Sequence, residues 1–421
     1  MEWPAESRAE GGGLEAGDVT PVWPAAAAIH AILCRVHRRV VILGSTGSIG
    51  CSALEVIAAL RPQPEVVGLA AGRDWQKLAE QAKQFAVPAV GLADAEQAGS
   101  LRGGLGRDTR VYAGADGLVE LIQQTDADFV LAAIVGAAGL PATLAAVDRG
   151  IDVGLANKES LVVGGTILMP LARQRGGKLL PVDSEHSAIF QALQAGQPSE
   201  VARIWLTASG GPFRTWSRER IENATMAEAL NHPTWSMGPK ITIDSATMMN
   251  KALEIVEAHF LFDTEPDRIG VLIHPESIVH SMVEFCDGSA IAQVGRPDMK
   301  TPIQYALTYP GRRAGLAQPL DWTTPRSLNF EPPDEDRFPA LRLGYQAARL
   351  GGTAGAVRNA ANEAAVERFR AGEIAFGRIA ALAERTLQRH RLNPNPTLGE
   401  LLAADAWARD EVRGFMRSCA E

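Results

Sequence analysis

The chain has 421 residues, of which 46% are hydrophobic and 21% are charged, and its formal net charge is −8. This length allows two or three domains, and the acidic balance argues against nucleic acid as the main partner, because neutralising phosphates requires a basic surface. The four cysteines lack metal-ligand spacing and no apolar run reaches the roughly 18 residues of a membrane span, so we expect a cytoplasmic protein without disulfides or membrane insertion.

Residues 1–38 are predicted to form a disordered extension, since they contain GGG and many alanines and glutamates. Within them AAAAIHAIL precedes the basic cluster RVHRR, which is the reverse of the order in a secretory signal. A remnant targeting segment, including one for plastids, and a mis-assigned start codon are the alternatives.

Residues 39–182 are predicted to form a Rossmann-like nucleotide-binding domain. The segment RRVVILGSTGSIG is a β-branched run ending in glycines, and SALEVIAAL follows at helical spacing. The strand-like segments EVVGLAAG, FVLAAIVGAAGL and DVGLANKES come later, separated by helical stretches. Such alternation predicts βαβ units and a parallel sheet with ligands at the carboxyl ends of its strands.

The remaining chain is predicted to form a second, α+β domain over 183–309, a linker over 310–345 and a small helical domain over 346–421. The segment VARIWLTASGGPF resembles a strand entering a glycine turn, and ATMMNKALEIVEAHFLF resembles a helix. The pair Asp287-Gly288 predicts a hairpin. The fold class is therefore α/β, with a central hairpin-containing sheet and a helical C-terminus.

Gly44, Gly47 and Gly50 form a GxxGxxG loop between the first strand and its helix. Glycines let the backbone approach a pyrophosphate, and free amides at a helix start attract its charge; a plain strand-to-helix turn is the alternative. Arg73, after the second strand, could pair with a 2′-phosphate, which favours NADPH. Asp74 counts against this, because an acid there would repel the phosphate.

The segment LPVDSEHSAIFQAL places two acids, Asp183 and Glu185, after an apolar run. If the backbone is extended there, both side chains point the same way and could hold Mg²⁺ or Mn²⁺. A solvated loop or a helix N-cap is the alternative.

In SATMMNKALEIVEA, three polar residues share one helix face: Asn250, Lys251 and Glu254. Ser245 is predicted near the helix start, where anions are favoured. This surface suits a phosphate beside a metal; an exposed salt-bridged helix is the alternative.

Two turn-like segments offer further contacts. ASGGPF presents Ser209 beside two glycines as a phosphate contact. NHPTWSMG is interpreted as a mobile lid with an aromatic anchor, or alternatively as a loop whose tryptophan packs into the core. His274 and His280 are six apart and are interpreted as structural.

The motifs GSTGSIG, ANKES, VDSEHSA, TASGGPF, NHPTWSMG and DSATMMNKALE, in this order, resemble 1-deoxy-D-xylulose 5-phosphate reductoisomerases, from about residue 39 to the C-terminus. The resemblance implies NADPH- and metal-dependent conversion of 1-deoxy-D-xylulose 5-phosphate to 2-C-methyl-D-erythritol 4-phosphate, with Mg²⁺, Mn²⁺ or Co²⁺. It also suggests a homodimer.

The resemblance assigns roles residue by residue. The metal ligands would be Asp183, Glu185 and Glu254, the last two also meeting substrate. The phosphate would be held by Ser209, Ser245, Asn250 and Lys251. The sugar backbone would meet Ser184, Lys158 and His232, with Trp235 and Met237 on the closing loop. The catalytic groups would be Lys158, Glu185 and His232. The cofactor would contact Thr46, Gly47, Ser48, Ile49, Gly72, Arg73, Asp74, Asn157, Glu159 and Gly238.

Two features depart from the family pattern. Asp74 stands where the family often has asparagine, and the N-terminal extension has no counterpart in the compact bacterial form. The rival functions are a small-acid dehydrogenase of the homoserine type and an NADPH-sensing binding protein. Neither requires an acidic triad drawn from two regions.

Overall fold

The computed structural model describes residues 38–235 and 237–417. The predicted N-terminal disorder concerns residues 1–38 and, apart from Arg38, lies outside the described residues. The first seven strands form one sheet in which every pairing is parallel. They are β1 Arg39–Leu43, β2 Glu65–Ala71, β3 Ala89–Leu92, β4 Arg110–Ala113, β5 Phe129–Ala132, β6 Asp152–Leu155 and β7 Leu179–Pro181.

The strand order is β4-β3-β2-β1-β5-β6-β7, which confirms the predicted doubly wound sheet. The chain runs outward from β1 in one direction and then returns to β5 on its other side. This reversal leaves a crevice beyond the carboxyl ends of β1 and β5, where such folds bind nucleotides. The glycine loop directly follows β1 and so lies in this crevice.

Helices cover both faces of the sheet, and this explains why its strands are continuous apolar runs. Val41, Val130 and Val153 belong to the core on one face, and Val40, Ile42 and Leu131 to the core on the other. The helices up to the sheet's last strand are α1 Ser48–Ala59, α2 Trp75–Gln84, α3 Ala98–Gly103, α4 Gly114–Gln124, α5 Leu140–Asp148 and α6 Lys158–Arg175.

A second sheet of four strands follows, in the order β11-β10-β8-β9. Its strands are β8 Val201–Ala208, β9 Ile269–Ile273, β10 Val279–Phe285 and β11 Ala290–Val294. Strands β10 and β11 pair antiparallel on either side of Asp287-Gly288, so the predicted hairpin is confirmed. Strand β8 pairs parallel with β9 and antiparallel with β10.

The helices of this region differ from the prediction at one point. The helix predicted over 246–262 begins only at Met249, after Met248, whose φ is +61°. A separate helix precedes the break, although its β-branched residues Ile241, Thr242 and Ile243 disfavour helix. The helices are α7 Ser184–Ala192, α8 Arg218–Glu222, α9 Met226–Ala229, α10 Pro239–Ala246, α11 Met249–Phe262 and α12 Lys300–Thr308.

Residues 309–339 contain no helix or strand, apart from a single bridge between Ile273 and Glu331. Helix α13 begins at residue 340, inside the segment predicted as linker. The final helices are α13 Ala340–Leu350, α14 Ala354–Arg370, α15 Arg378–Arg389 and α16 Leu398–Arg417. Val357 and Ala361 of α14 share a hydrophobic core with Leu206 of β8 and Leu253 of α11. The helical C-terminus thus packs behind the second sheet.

Candidate active site

A cavity of about 440 Å³ lies between the start of α1, the start of α7 and the start of α11. Ser48 and Ile49 of the glycine loop form part of its wall, so the nucleotide crevice and the cavity adjoin. The other predicted site residues that line it are Lys158, Asp183, Ser184, Glu185, Ser209, His232, Trp235, Met237, Gly238, Ser245, Asn250 and Lys251. The structure therefore brings most of the predicted substrate and metal residues to one place.

The glycine loop has the geometry of a phosphate-binding turn. Gly44 has φ +88°, and a Cβ there would lie 2.5 Å from the carbonyl oxygen of Ala133. A Cβ on Gly50 would lie 2.4 Å from the carbonyl oxygen of Gly44. Gly47 is the N-cap of α1 and makes no side-chain cap, so the amides at the helix start are available to an anion.

The predicted cofactor residues Asn157 and Glu159 lie at the start of α6, behind the crevice. Asn157 caps the helix, accepting from the amide of Ser160 at 2.8 Å, and it donates to the carbonyl oxygen of Gly136 at 3.1 Å. It therefore fixes the loop that follows β5. Glu159 is paired with Lys240 at 3.3 Å.

Arg73 and Asp74 follow β2 on the other side of the crevice, next to Gly72. The Arg73 side chain is 91% exposed, and its nearest acid, Asp94, is 4.0 Å away. Asp74 is the N-cap of α2 and accepts from the amide of Lys77 at 3.1 Å. Its carboxylate is therefore occupied by the helix. Lys77, which sequence analysis did not identify, donates to the carbonyl oxygen of Thr46 at 3.0 Å.

Asp183, Glu185 and Glu254 converge beside the cavity, which Asp183 and Glu185 line, whereas Glu254 is fully buried. One carboxylate oxygen from each lies within 4.8 Å of the other two. The local backbone is not the extended one expected: Asp183 is at the N-cap position of α7 and Glu185 is in the first turn of that helix. Asp183 makes no cap hydrogen bond, so the N-cap alternative does not account for its side chain.

Two buried lysines stand between these acids. Lys158 contacts Asp183 and lies 3.2 Å from Glu254. Lys251 contacts Glu254, lies 2.9 Å from Glu185 and donates to the carbonyl oxygen of Thr207. The predicted phosphate cation Lys251 therefore lines the cavity while its ammonium pairs with carboxylates.

The charges of this cluster shift its pKa values strongly. Burial acts to raise the pKa of Asp183, but Lys158, His186 and Lys251 together outweigh it and lower the pKa to about 2. Burial, followed by the charge of Glu185, raises the pKa of Glu254 to about 7. Burial acts to lower the pKa of Lys158 and Lys251, but the surrounding carboxylates raise both above the ordinary value of 10.5.

This donor set fits a divalent cation. Three carboxylates from two segments present oxygen ligands within coordination reach of one point, the chemistry that Mg²⁺ and Mn²⁺ require. The two lysines already neutralise part of the negative charge of these acids, and a divalent cation would neutralise the rest. Asn250 supports the arrangement, since its Nδ2 donates to Glu254 at 2.5 Å and its Oδ1 accepts from Lys158 at 2.9 Å.

A second cluster is built of neutral polar groups. His232 Nδ1 accepts from the amides of Thr234 and Trp235 at 3.1 and 2.9 Å, so the ring proton is on Nε2. Nε2 lies 3.1 Å from both Ser209 Oγ and Ser245 Oγ. Three predicted substrate residues therefore meet at one point. Ser245 is in the last turn of α10, and not near the start of the following helix as expected.

The described residues of the lid segment, 231–235 and 237–238, have no regular secondary structure. Trp235 and Met237 are half-buried and line the cavity, so Trp235 is not a core residue. Gly238 is the N-cap of α10.

The cavity also has walls that sequence analysis missed. His280, interpreted as structural, lines it, as do Pro297, Asp298 and Met299, which precede α12. His274 fits the structural interpretation: its Nε2 accepts from the amides of Ile278 and Val279, both at 3.1 Å. The contact of β10 with the site depends on the second sheet's register, which no local motif reveals.

A nucleotide-type sheet whose glycine loop opens onto a carboxylate cluster defines the class of nucleotide-dependent, metal-assisted oxidoreductases. The family model for 1-deoxy-D-xylulose 5-phosphate reductoisomerase matches residues 40–165. Models for C-terminal domains of the same enzyme match residues 179–262 and 294–411.

Relatives agree over nearly the whole chain. The 1-deoxy-D-xylulose 5-phosphate reductoisomerases of Chloroherpeton thalassium and Symbiobacterium thermophilum are 52% and 51% identical, covering 89% and 90% of this chain and 97% and 98% of theirs. The Zymomonas mobilis enzyme in complex with NADPH has a TM-score of 0.85 at 44% identity, covering 90% of this chain and 99% of its own. A DOX-P reductoisomerase in complex with NADPH, fosmidomycin and magnesium has a TM-score of 0.86 at 40% identity. The match covers 91% of this chain and 99% of that enzyme. The chain belongs to the 1-deoxy-D-xylulose 5-phosphate reductoisomerase family.

Proposed function

We propose that this chain converts 1-deoxy-D-xylulose 5-phosphate and NADPH to 2-C-methyl-D-erythritol 4-phosphate, in non-mevalonate isoprenoid precursor synthesis, with a divalent cation. The carrying observation is the meeting of Asp183, Glu185 and Glu254 beside a cavity that the first two line, and whose wall also includes Ser48 and Ile49 of the glycine loop. Family membership over about nine tenths of the chain supports the same reaction.

The bound cation would supply Lewis-acid polarisation of substrate oxygens, and NADPH would supply the hydride. We assign Asp183, Glu185 and Glu254 as the cation's ligands. Mg²⁺ is the cation of a solved relative, and the all-carboxylate donor set extends the proposal to Mn²⁺, with Co²⁺ as a further candidate.

We assign binding of the substrate phosphate to the Ser209–His232–Ser245 cluster, assisted by Asn250 and Lys251. Hydroxyl and imidazole donors at one point suit phosphate oxygens. With the phosphate bound at this cluster and the sugar oxygens bound near the acids, the substrate would lie across the cavity. The binding energy of the phosphate would then orient the reacting carbons. Trp235 and Met237 would then exclude water.

We assign proton handling to Lys158 and Glu185. Lys158 is buried and surrounded by acids, so it carries a proton at neutral pH that it can donate to a developing oxyanion. Ser184 donates a hydrogen bond to Glu185 at 2.6 Å. This bond stabilises the deprotonated carboxylate, which can then accept a proton from the substrate. His232, the third predicted catalytic residue, acts from the phosphate side.

We assign the cofactor to the crevice between β1 and β5. Its pyrophosphate would lie on the loop of Thr46, Gly47, Ser48 and Ile49. Its 2′-phosphate would lie near Gly72 and Arg73, with Asp74 capping the adjacent helix. Asn157, Glu159 and Gly238 would support the crevice from the substrate side.

We further propose a cytoplasmic homodimer and a division of the chain at residues 182 and 309, with the helical C-terminus beginning at α13 and not at residue 346 as predicted. The segment 310–339, called here the linker arm, carries four exposed apolar side chains of the kind that protein interfaces cover. They are Leu316, Trp322, Leu328 and Phe330, and Trp322 is 70% exposed. Strand β11 is an edge of its sheet, and its Ile291 is exposed as well. No described helix is both long and apolar enough to span a membrane.

The test is NADPH oxidation, followed at 340 nm, with 1-deoxy-D-xylulose 5-phosphate and Mg²⁺, with and without EDTA. We expect turnover that EDTA abolishes and Mg²⁺ restores. Glu254→Gln should lower kcat at least about 100-fold, since losing a ligand costs more than losing its supporting partner. EDTA-resistant turnover would support the homoserine-type dehydrogenase, and NADPH binding without turnover would support the sensor.

A further inference from the structure

Behind the acidic triad lies a buried polar pair that the proposed reaction does not use. Glu257 of α11 and His186 of α7 are both 0% exposed. Glu257 Oε2 lies 3.4 Å from His186 Nδ1, and neither Glu257 oxygen receives a hydrogen bond of ordinary geometry from a described residue. A buried carboxyl group with so few partners is costly, so its presence requires an explanation.

His186 links the two elements that carry the metal ligands. Its Nε2 lies 3.0 Å from the backbone carbonyl oxygen of Glu254, and a carbonyl can only accept, so Nε2 carries the proton. Nδ1 therefore faces Asp183 Oδ2 at 3.7 Å as well as Glu257. The ring also stacks on Phe262, with centroids 6.1 Å apart.

A proton shared between His186 Nδ1 and Glu257 Oε2, which lie 3.4 Å apart, would remove the repulsion between their facing lone pairs, and neither atom has another hydrogen-bond partner among the described residues. Either the carboxyl group donates to the ring nitrogen or the ring donates to the carboxylate. In both forms Glu257 sets the orientation of the ring. The ring in turn fixes the spacing between the N-cap of α7, which carries Asp183, and the backbone of Glu254.

We propose that Glu257 is a positioning residue: acting through His186, it holds Asp183 and Glu254 at the separation that the divalent cation needs. This rests on the proposed function. A second cation between Asp183, His186 and Glu257 is the competing explanation, since these groups could also ligate one. Charge favours the positioning role. With a shared proton the His186–Glu257 pair is neutral, so Asp183, Glu185 and Glu254 face two lysines and one divalent ion already offsets the remaining negative charge.

The experiment compares Glu257→Leu with Glu257→Gln in the full chain. Leucine has a similar volume but no donor, whereas the glutamine amide can donate to His186 Nδ1 and keep the ring in place. We expect Glu257→Leu to raise the Mg²⁺ concentration for half-maximal turnover about 10-fold or more, the usual effect of losing a ligand's supporting partner. We expect Glu257→Gln to change it less than about threefold.

Two further readouts separate this from a merely structural role. Removing a buried, poorly partnered acid does not weaken packing, so the metal-free Tm of Glu257→Leu should equal or exceed that of the parent chain. Mn²⁺ binding, followed by loss of the free-ion EPR signal, should give one ion per chain in the parent and in both variants, with weaker binding in Glu257→Leu.

The idea fails if Glu257→Leu leaves Mg²⁺ dependence unchanged, or if weakened binding appears together with a lowered Tm in both variants. Two Mn²⁺ ions per chain in the parent and one in Glu257→Gln would establish the second cation instead. A parent chain that binds no Mn²⁺ would overturn the proposed function itself. This result differs from those that would overturn only the positioning role of Glu257.

Discussion

At the scale of single residues, two glycines of the same loop face different constraints. A Cβ on Gly50 would meet the carbonyl oxygen of Gly44 at 2.4 Å, whereas one on Gly47 would meet it at 3.4 Å. Gly47 also has φ −74°, which any residue can adopt. The fold therefore needs Gly50, while Gly47 leaves room for the pyrophosphate.

We predict that Gly50→Ala lowers both Tm and NADPH affinity. Gly47→Ala should keep its Tm but bind NADPH about 10-fold less tightly, because its methyl group occupies the approach of the phosphates. Thermal unfolding and fluorescence titration with NADPH measure the two effects. Unaltered NADPH affinity in a folded Gly47→Ala protein would remove the pyrophosphate from this loop.

The exposed Arg73 side chain, 4.0 Å from Asp94, can reach a phosphate, while Asp74 caps the start of α2. We predict that Arg73→Ala weakens NADPH binding about 10-fold and leaves NADH binding unchanged, because only the 2′-phosphate is lost as a partner. Asp74→Asn is the matched variant: asparagine caps equally well, so the Tm should not change, and NADPH binding should be unchanged or tighter because a negative charge near the 2′-phosphate is removed. An equal loss for both cofactors in Arg73→Ala would contradict the assignment.

Sequence patterns were sufficient where neighbours in the chain are neighbours in space. The spacing of Asn250, Lys251 and Glu254 placed them on one helix face, and Asn250 does donate to Glu254. Asp183 and Glu185 were expected together for a different reason, an extended backbone, yet they lie at a helix start. Lys77 and His280 were missed, because their positions depend on contacts between distant segments.

At the scale of elements, the lid is held to the body by the imidazole of His232. Burial lowers the pKa of His232 below its ordinary value of 6.5, and Nδ1 must be unprotonated to accept from the amides of Thr234 and Trp235. The unfolded lid therefore binds a proton at higher pH than the folded one. The stability of the folded lid is complete above pH 6.5 and falls as the pH drops below it.

We predict a change in Trp235 fluorescence as the pH falls from 7 to 5, obtained as the difference between the parent chain and Trp235→Phe. His232→Gln should abolish the transition, since its amide does not titrate there. A transition that persists in His232→Gln would assign the pH dependence to another group.

The break between α10 and α11 shows the limit of prediction from local sequence. Sequence periodicity suggested a helix over 246–262, but Met248 adopts φ +61° and the helix begins only at Met249. A left-handed methionine is strained and has no sequence signature. The surrounding core, which buries Met248 and Met249, imposes it. Ser245, three residues before Met248, lies 3.1 Å from His232 Nε2.

At the scale of the whole molecule, the exposed apolar side chains of the linker arm favour self-association. The apolar side chains of residues 316–330 would remain in water in a single chain, and such patches mark interfaces. We predict a dimer by light scattering. Trp322→Glu should shift it toward the monomer, whereas Leu402→Glu, on an exposed face of α16, should not. A monomeric parent chain would contradict the proposal.

The overall architecture was largely predictable because the elements of a parallel sheet have recognisable local sequence patterns. These patterns are buried apolar runs, glycine turns and intervening amphipathic helices. The seven-stranded sheet and the hairpin at Asp287-Gly288 are the clearest cases. The packing of α14 behind the second sheet was not, since alanine-rich faces such as that of Ala360 and Ala361 can pack on many partners.

The central claim is that acids from two segments hold one divalent ion beside the nicotinamide. The most direct measurement is anomalous diffraction from crystals grown with Mn²⁺ and NADPH. One peak at about 2.0–2.3 Å from carboxylate oxygens of Asp183, Glu185 and Glu254 is the expected result. A peak elsewhere, or a Glu254 that turns away from the ion, would contradict it.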